Sequence, residues 1–118
     1  MLGMVYYQKG EVLYALPHFQ RAVELDPEDA EARFQFGLSL AFLEQVDEAI
    51  KQFEQAQKLD VTNPDIYYNL GVAFAYKDDD EKALAMFEKA LDLQADHLLA
   101  ANGKKLIVKK LSKTTEND

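Results

Sequence analysis

The chain has 118 residues, with 13 Lys and Arg against 21 Asp and Glu, a formal net charge of −8, and no cysteine. Disulfides and thiolate metal sites are therefore excluded, and the acidic balance argues against nucleic-acid binding, because it repels phosphate backbones. No apolar run approaches the ~20 residues needed to span a bilayer, and no basic segment followed by an apolar core opens the chain, so neither membrane insertion nor export is expected and a cytoplasmic protein is.

From the N-terminus, a first helix is expected before Gly10 and a second after it, with the turn at "QKGEV". Pro17 lies inside that second helix, where its missing N–H should bend the first turns. The break "LDPEDA" precedes the helix containing "FQFGLSLAF", and the turn "LEQVDE" near Asp47 leads to a helix that puts Ala49, Phe53 and Ala56 on one face. After "LDVTNPD", Asn63 is a good cap and Pro64 a good first helical residue, since proline's missing N–H has no helical partner there.

The helix containing "YYNLGVAFA" places Tyr67, Leu70, Gly71 and Phe74 at i, i+3, i+4 and i+7. Gly71 in its middle costs about 1 kcal/mol relative to alanine, which demands a compensating contact. In "KDDDE", Asp79 or Asp80 can cap the next helix, in which Ala83, Phe87 and Ala90 share a face. Beyond "LQADH" a last helix over 98–113 sets Ala100, Gly103, Ile107 and Leu111 on one side and Lys105 and Lys109 on another. It reads as a solvating cap, followed by a disordered "TTEND". Five lysines fall after residue 97, with only Glu116 and Asp118 opposing them, so this end is basic and the rest strongly acidic.

These elements repeat. A step of 34 residues links Gly3, Gly37 and Gly71, then Ala15, Ala49 and Ala83, Phe19, Phe53 and Phe87, Ala22, Ala56 and Ala90, and Leu25, Leu59 and Leu93. Five columns in register define an internal repeat of two helices. By that register the first unit opens partway along its first helix, as a fragment of a longer array would, or as an edge that pairs with another molecule. Such an edge leaves Leu2, Val5 and Tyr6 partly unprotected and suggests homo-oligomerisation as an alternative role.

The repeat resembles the tetratricopeptide repeat over roughly residues 1–97. Leu2-Gly3, Phe36-Gly37 and Leu70-Gly71 match the first-helix element, Ala49, Phe53 and Ala56 with their counterparts match the second, and Pro27 the closing proline. Departures are Arg33 in the column of Tyr67, and Val61 and Ala95 where the proline would close a unit. The resemblance implies an all-α, right-handed solenoid of about three helix-turn-helix units (1–29, 30–63 and 64–97). A capping helix over 98–112 completes one array, and 113–118 form a disordered tail. It also implies that Gly71 faces Ala83, so that two backbones approach closely.

Beside the core face, Tyr68, Val72, Ala75 and Tyr76 form a second apolar stripe, matched one unit earlier by Phe34, Leu38, Ala41 and Phe42. In the resembling family this side lines a concave groove that holds peptides and partner helices. The implied groove here is Met4, Tyr7, Glu31, Phe34, Gln35, Leu38, Phe42, Asp65, Tyr68, Asn69, Val72 and Tyr76. Leu38 and Val72 are expected to pack inward and Phe42 and Tyr76 to be exposed. The outer faces of the second helices, with Glu48, Lys51, Gln52, Gln55, Lys82, Glu88 and Lys89, should be solvated. Glu31, Gln35, Asp65 and Asn69 occupy the positions with which one subgroup of the family grips chaperone-peptide carboxylates. Only Asn69 fits that role, so carboxylate-terminal chaperone peptides are disfavoured and a partner with an apolar face and basic flanks is preferred.

Catalytic chemistry is not indicated. His18 and His97 stand far apart in the sequence and outside metal-ligand spacing, and residues 78–81 lack the alternating ligands and glycine of a calcium loop. No phosphate-binding, nucleophile-elbow or zinc-protease motif occurs, and no cofactor is expected. The sequence is that of a non-enzymatic interaction scaffold.

Overall fold

The computed structural model describes residues 2–116, with side chains for residues 9–113, and contains six helices and no strand among them. They are α1 Leu2–Leu25, α2 Ala30–Phe42, α3 Val46–Leu59, α4 Pro64–Tyr76, α5 Asp80–Leu93 and α6 Leu98–Glu116. The chain divides into two compact units, residues 1–61 and 62–118.

In the first unit α2 starts at Asp29, whose carboxylate accepts the Ala32 N–H at 3.1 Å, and α3 begins with Asp47 and Glu48 in its first turn. Both devices place negative charge at a positive helix end. Between these helices Glu44 adopts a left-handed φ of 64°. Its N–H bonds to the Ala41 carbonyl and that of Gln45 to the Leu40 carbonyl, the paired bonds of a Schellman stop. The hairpin buries Ala32, Phe34, Leu40, Ala49, Phe53 and Ala56. The Phe34 and Phe53 rings meet at 5.9 Å, and Gly37 lies under Phe53, where an added Cβ would come within 2.7 Å of the ring.

The second unit repeats this construction. Asn63 caps α4 by accepting the Asp65 N–H at 2.9 Å, with Pro64 at the first helical position, and Asp79 caps α5 through the Lys82 N–H. Asp78, at φ 60°, closes the same stop with bonds from its own N–H to Ala75 and from Asp79 to Phe74. Tyr67, Ala90 and Ala100 form one buried cluster, and Ala83, Phe87 and Ile107 another.

Three expectations are corrected. Gly71 does face the second helix, but its close contact is the Phe87 ring rather than Ala83: an added Cβ would lie 2.6 Å from the ring edge. A long helical side chain leans over the turn that precedes it, so Phe87 reaches back to cover the glycine. Secondly, α1 is one helix through both Gly10 and Pro17, with no turn at "QKGEV". Glycine accepts helical φ/ψ as readily as a left-handed turn, and the straight helix keeps its hydrogen-bond ladder across it. Finally, α6 runs on to Glu116, beyond the expected end at 112, because no Gly or Pro stops it. Met1, Asn117 and Asp118 lie outside the described residues.

Candidate functional site

The inner stripe expected on α2 and α4 is partly free surface. In the first unit Phe42 is 44% exposed and Leu38 half-buried, whereas Phe34 is buried against Phe53 and offers no free face. Glu31 is exposed and accepts a hydrogen bond from the Gln35 amide at 2.8 Å. Met4 and Tyr7 lie on α1, but their side chains are outside the described residues. Leu38 and Phe42, with Val12, Ala15 and Phe19 of α1, border a cleft of about 360 Å³.

In the second unit Tyr76 is 64% and Val72 43% exposed, so Val72 is surface rather than packed inward. Tyr68 is half-buried, its ring 5.9 Å from Phe87 and 5.4 Å from His97. Asn69 is half-buried and donates its amide to the Asp65 carbonyl, one turn back on α4. Tyr68, Val72 and Ala75 of α4 face Leu99, Asn102, Gly103 and Leu106 of α6 across an apolar cleft of about 290 Å³ floored by Phe87 and Ile107. None of its lining side chains is charged.

The α6 contribution escaped the sequence reading. A solvating cap should be polar outside, yet Leu98, Leu99, Leu106 and Val108 are all exposed. The missed signal was the same 34-residue step: Leu106 stands in the column of Val72, and Asn102 in that of Tyr68. The lysine pair at 104 and 105, falling where Leu-Gly would be, masked it. The inward face was read correctly, since Ala100 and Ile107 are buried and Gly103 abuts Phe87.

Two polar ties hold α6 within its unit. His97 is buried, its Nδ1 accepts the Ala100 N–H at 3.1 Å, and its Nε2 therefore carries the proton donated to Asp65 at 2.8 Å. Asp65 is thus engaged with a histidine rather than being a free groove carboxylate. His97→Ala removes both the cap and this tie and should cost about 1–2 kcal/mol. Faster amide exchange at residues 98–103 in a hydrogen-exchange measurement, with α5 unchanged, would locate the loss. Further along, the Lys110 ammonium lies 3.2 Å from Asp80 and 3.2 Å from Asp78. Its bonds to Asp80 and then Asp78 raise its pKa above the ordinary 10.5. The contribution of this exposed group, modest because solvent screens it, is present at neutral pH and lost as pH rises through the raised value.

Among the described residues no group of three His, Asp or Glu side chains could hold a metal ion, and no helix is long and apolar enough to cross a membrane. His18 is exposed and rests on Tyr14, 5.3 Å between ring centroids. The acidic run at 78–81 is a capped turn tied to Lys110. On the second helices Glu48, Lys51, Gln55, Lys82, Glu88 and Lys89 are exposed, and Gln52 is half-buried by a bond from Arg33.

Hairpins of this construction, with a glycine under an aromatic ring, define an all-α helical repeat fold. Tetratricopeptide-repeat profiles match residues 1–29, 18–51 and 64–97, and a further TPR-repeat profile matches 37–78. The chain belongs to the tetratricopeptide-repeat family. It is similar to the crystal structure of YrrB, described as a TPR protein with an unusual peptide-binding site, at 50% identity and a TM-score of 0.78. The match covers 89% of this chain and 54% of that one, so the chain spans about half the length of YrrB. The first TPR domain of Spaghetti (RPAP3), bound to an HSP90 peptide, is 20% identical with a TM-score of 0.85, over 91% of this chain and 85% of that one. The Yersinia enterocolitica type III secretion chaperone SycD, in complex with a peptide of the translocator YopD, is 21% identical with a TM-score of 0.80, over 94% and 90%. These last two likenesses show the fold alone. No curated protein matches the chain.

Proposed function

We propose that the protein is a non-enzymatic interaction scaffold that binds a peptide or helix of a partner protein on the inner faces of its first-in-unit helices. The observation that carries this reading is the uncharged cleft between α4 and α6, bordered by exposed Val72 and Leu106. Such a site suits one or two apolar anchors from the partner, with Asn102 as the polar group that orients its backbone. That YrrB, the RPAP3 domain and SycD are each described with a peptide or peptide-binding site supports the same class of ligand.

The binding residues in the first unit are Leu38 and Phe42, backed by Phe34, with Met4, Tyr7, Glu31 and Gln35 on the same helices; in the second they are Tyr68, Asn69, Val72 and Tyr76 with Asp65, extended by Leu99, Asn102 and Leu106. Glu31 and the acidic balance before residue 98 favour a partner with basic flanks over one ending in a carboxylate. In a cytoplasmic setting this chain would hold its partner without cofactor, nucleic acid or membrane.

The test is selection from a displayed random-peptide library, followed by affinity measurement for the enriched sequences. Val72→Glu/Leu106→Glu should weaken them about tenfold or more at an unchanged melting temperature, since both positions are exposed in the free protein. Equal affinity for wild type and variant would exclude the cleft as the binding site.

A further inference from the structure

The exposed surface of α6 changes chemistry along its length. Leu99, Asn102 and Leu106 border the uncharged cleft against α4. Lys105, Val108, Lys109, Ser112 and Lys113 line a second depression, of about 430 Å³. Lys109 follows Leu106 by three residues and Lys113 by seven, so both continue the helix face that Leu99, Asn102 and Leu106 present to the cleft. The middles of the two linings on α6, near residues 103 and 109, are about 9 Å apart along the axis.

Lys105, Lys109 and Lys113 are exposed, and among the described residues no carboxylate pairs with them, whereas Lys110 is held by Asp78 and Asp80. The helix has no Asp or Glu before Glu116. Lys105 with Lys109, and Lys109 with Lys113, are like-charged i, i+4 pairs, which weaken a helix. Nor does the helix dipole call for all of them, since it favours cations only in the last turn. Lys105 and Lys109 stand about three and two turns before Glu116.

On the reading that the cleft is the binding site, we propose that the partner segment held there is extended and carries side-chain carboxylates to one side of its apolar anchor, lying over Lys105, Lys109 and Lys113. A cleft of about 290 Å³ admits one or two side chains, fewer than the anchors with which a helix docks, so the segment is extended. At about 3.3 Å per residue, about three residues separate the anchor from the first carboxylates. Basic flanks answer the acidic residues before position 98, and on α6 the sign is reversed. An anionic membrane or a nucleic acid would extend beyond α6 and meet those acidic residues, whereas a short segment need touch only the cleft and the lysines.

Peptides enriched from the displayed library are the probes, made with C-terminal amides so that no terminal carboxylate contributes. They should carry Asp or Glu about three residues from the apolar anchor, on one side of it. Changing these to Asn or Gln should weaken binding about fivefold, as should Lys105→Gln/Lys109→Gln/Lys113→Gln in the protein, and the two changes together should cost little more than either. Lys105→Glu/Lys109→Glu should reverse the preference, so that a peptide with Lys in place of its acids binds more tightly than the original. The three lysines are exposed, so an unchanged melting temperature is expected throughout. Peptides that depend on Val72 and Leu106 but carry no acidic residues and ignore the lysines would overturn the proposal and leave the cleft reading standing. Peptides indifferent to Val72→Glu/Leu106→Glu would remove the cleft reading and the proposal with it. Lysine-dependent sedimentation with phosphatidylserine vesicles, without an acidic preference among the peptides, would also overturn it, by assigning the lysines to a lipid surface.

Discussion

Truncating Phe87 to alanine should destabilise the protein by about 3–5 kcal/mol, one of the two largest effects expected of any single substitution. The ring is 3% exposed and shares a cluster with Ala83 and Ile107. Gly71 of α4 and Gly103 of α6 both lie against it, and Tyr68 meets it at 5.9 Å. Its removal would therefore open a void bordered by three helices. Neither glycine has a side chain that could move into the space, so little of the void can collapse. Denaturant unfolding followed by circular dichroism measures the loss directly. Leu25→Ala is the comparison, because Leu25 also sits in a repeat column but is 70% exposed, and should change stability by less than about 0.5 kcal/mol. Similar losses from the two substitutions would mean that Phe87 does not organise its unit.

That contrast shows how far the sequence could be read. Periodicity located the helices after residue 29, and capping chemistry placed the start of α4 at Asn63 and that of α5 at Asp79 or Asp80, of which the structure uses Asp79, because those signals are local. The column of Leu25, Leu59 and Leu93 was equally regular, yet all three are exposed at helix ends, so regularity alone does not report burial. Gly71 was matched to the wrong neighbour because spacing gives the face of a helix and not the reach of a ring lying one turn away. At Gly10 the ambiguity is chemical, since glycine accepts both a helical and a left-handed conformation, and tertiary contacts decide between them. In α6 two lysines in the Leu-Gly columns concealed a helix apolar on both faces. The half of the cleft supplied by Leu99 and Leu106 was lost with it.

Gly71→Leu should cost about 3 kcal/mol or more, at the upper end of what overpacking causes, and even Gly71→Ala should lose stability. In an ordinary helix interior the alanine substitution gains about 1 kcal/mol. Here the new Cβ would stand 2.6 Å from the Phe87 ring, too close for any real contact. An aromatic side chain could relieve that by tilting away, but Gly103 of α6 also abuts the ring, where an added Cβ would come within 2.7 Å, so its room to move is limited. The ring occupies a slot bounded by two helix backbones, and this is what the glycine in the middle of α4 provides. Dispersion contacts between the ring and the two helix backbones offset the helix propensity that Gly71 forgoes. The two positions are therefore interdependent. Phe87→Leu should recover part of the loss caused by Gly71→Ala, with a coupling of about 1 kcal/mol in a double-mutant cycle. Additive effects, or an alanine variant that melts higher than wild type, would show that the ring can move and that the slot does not account for the glycine.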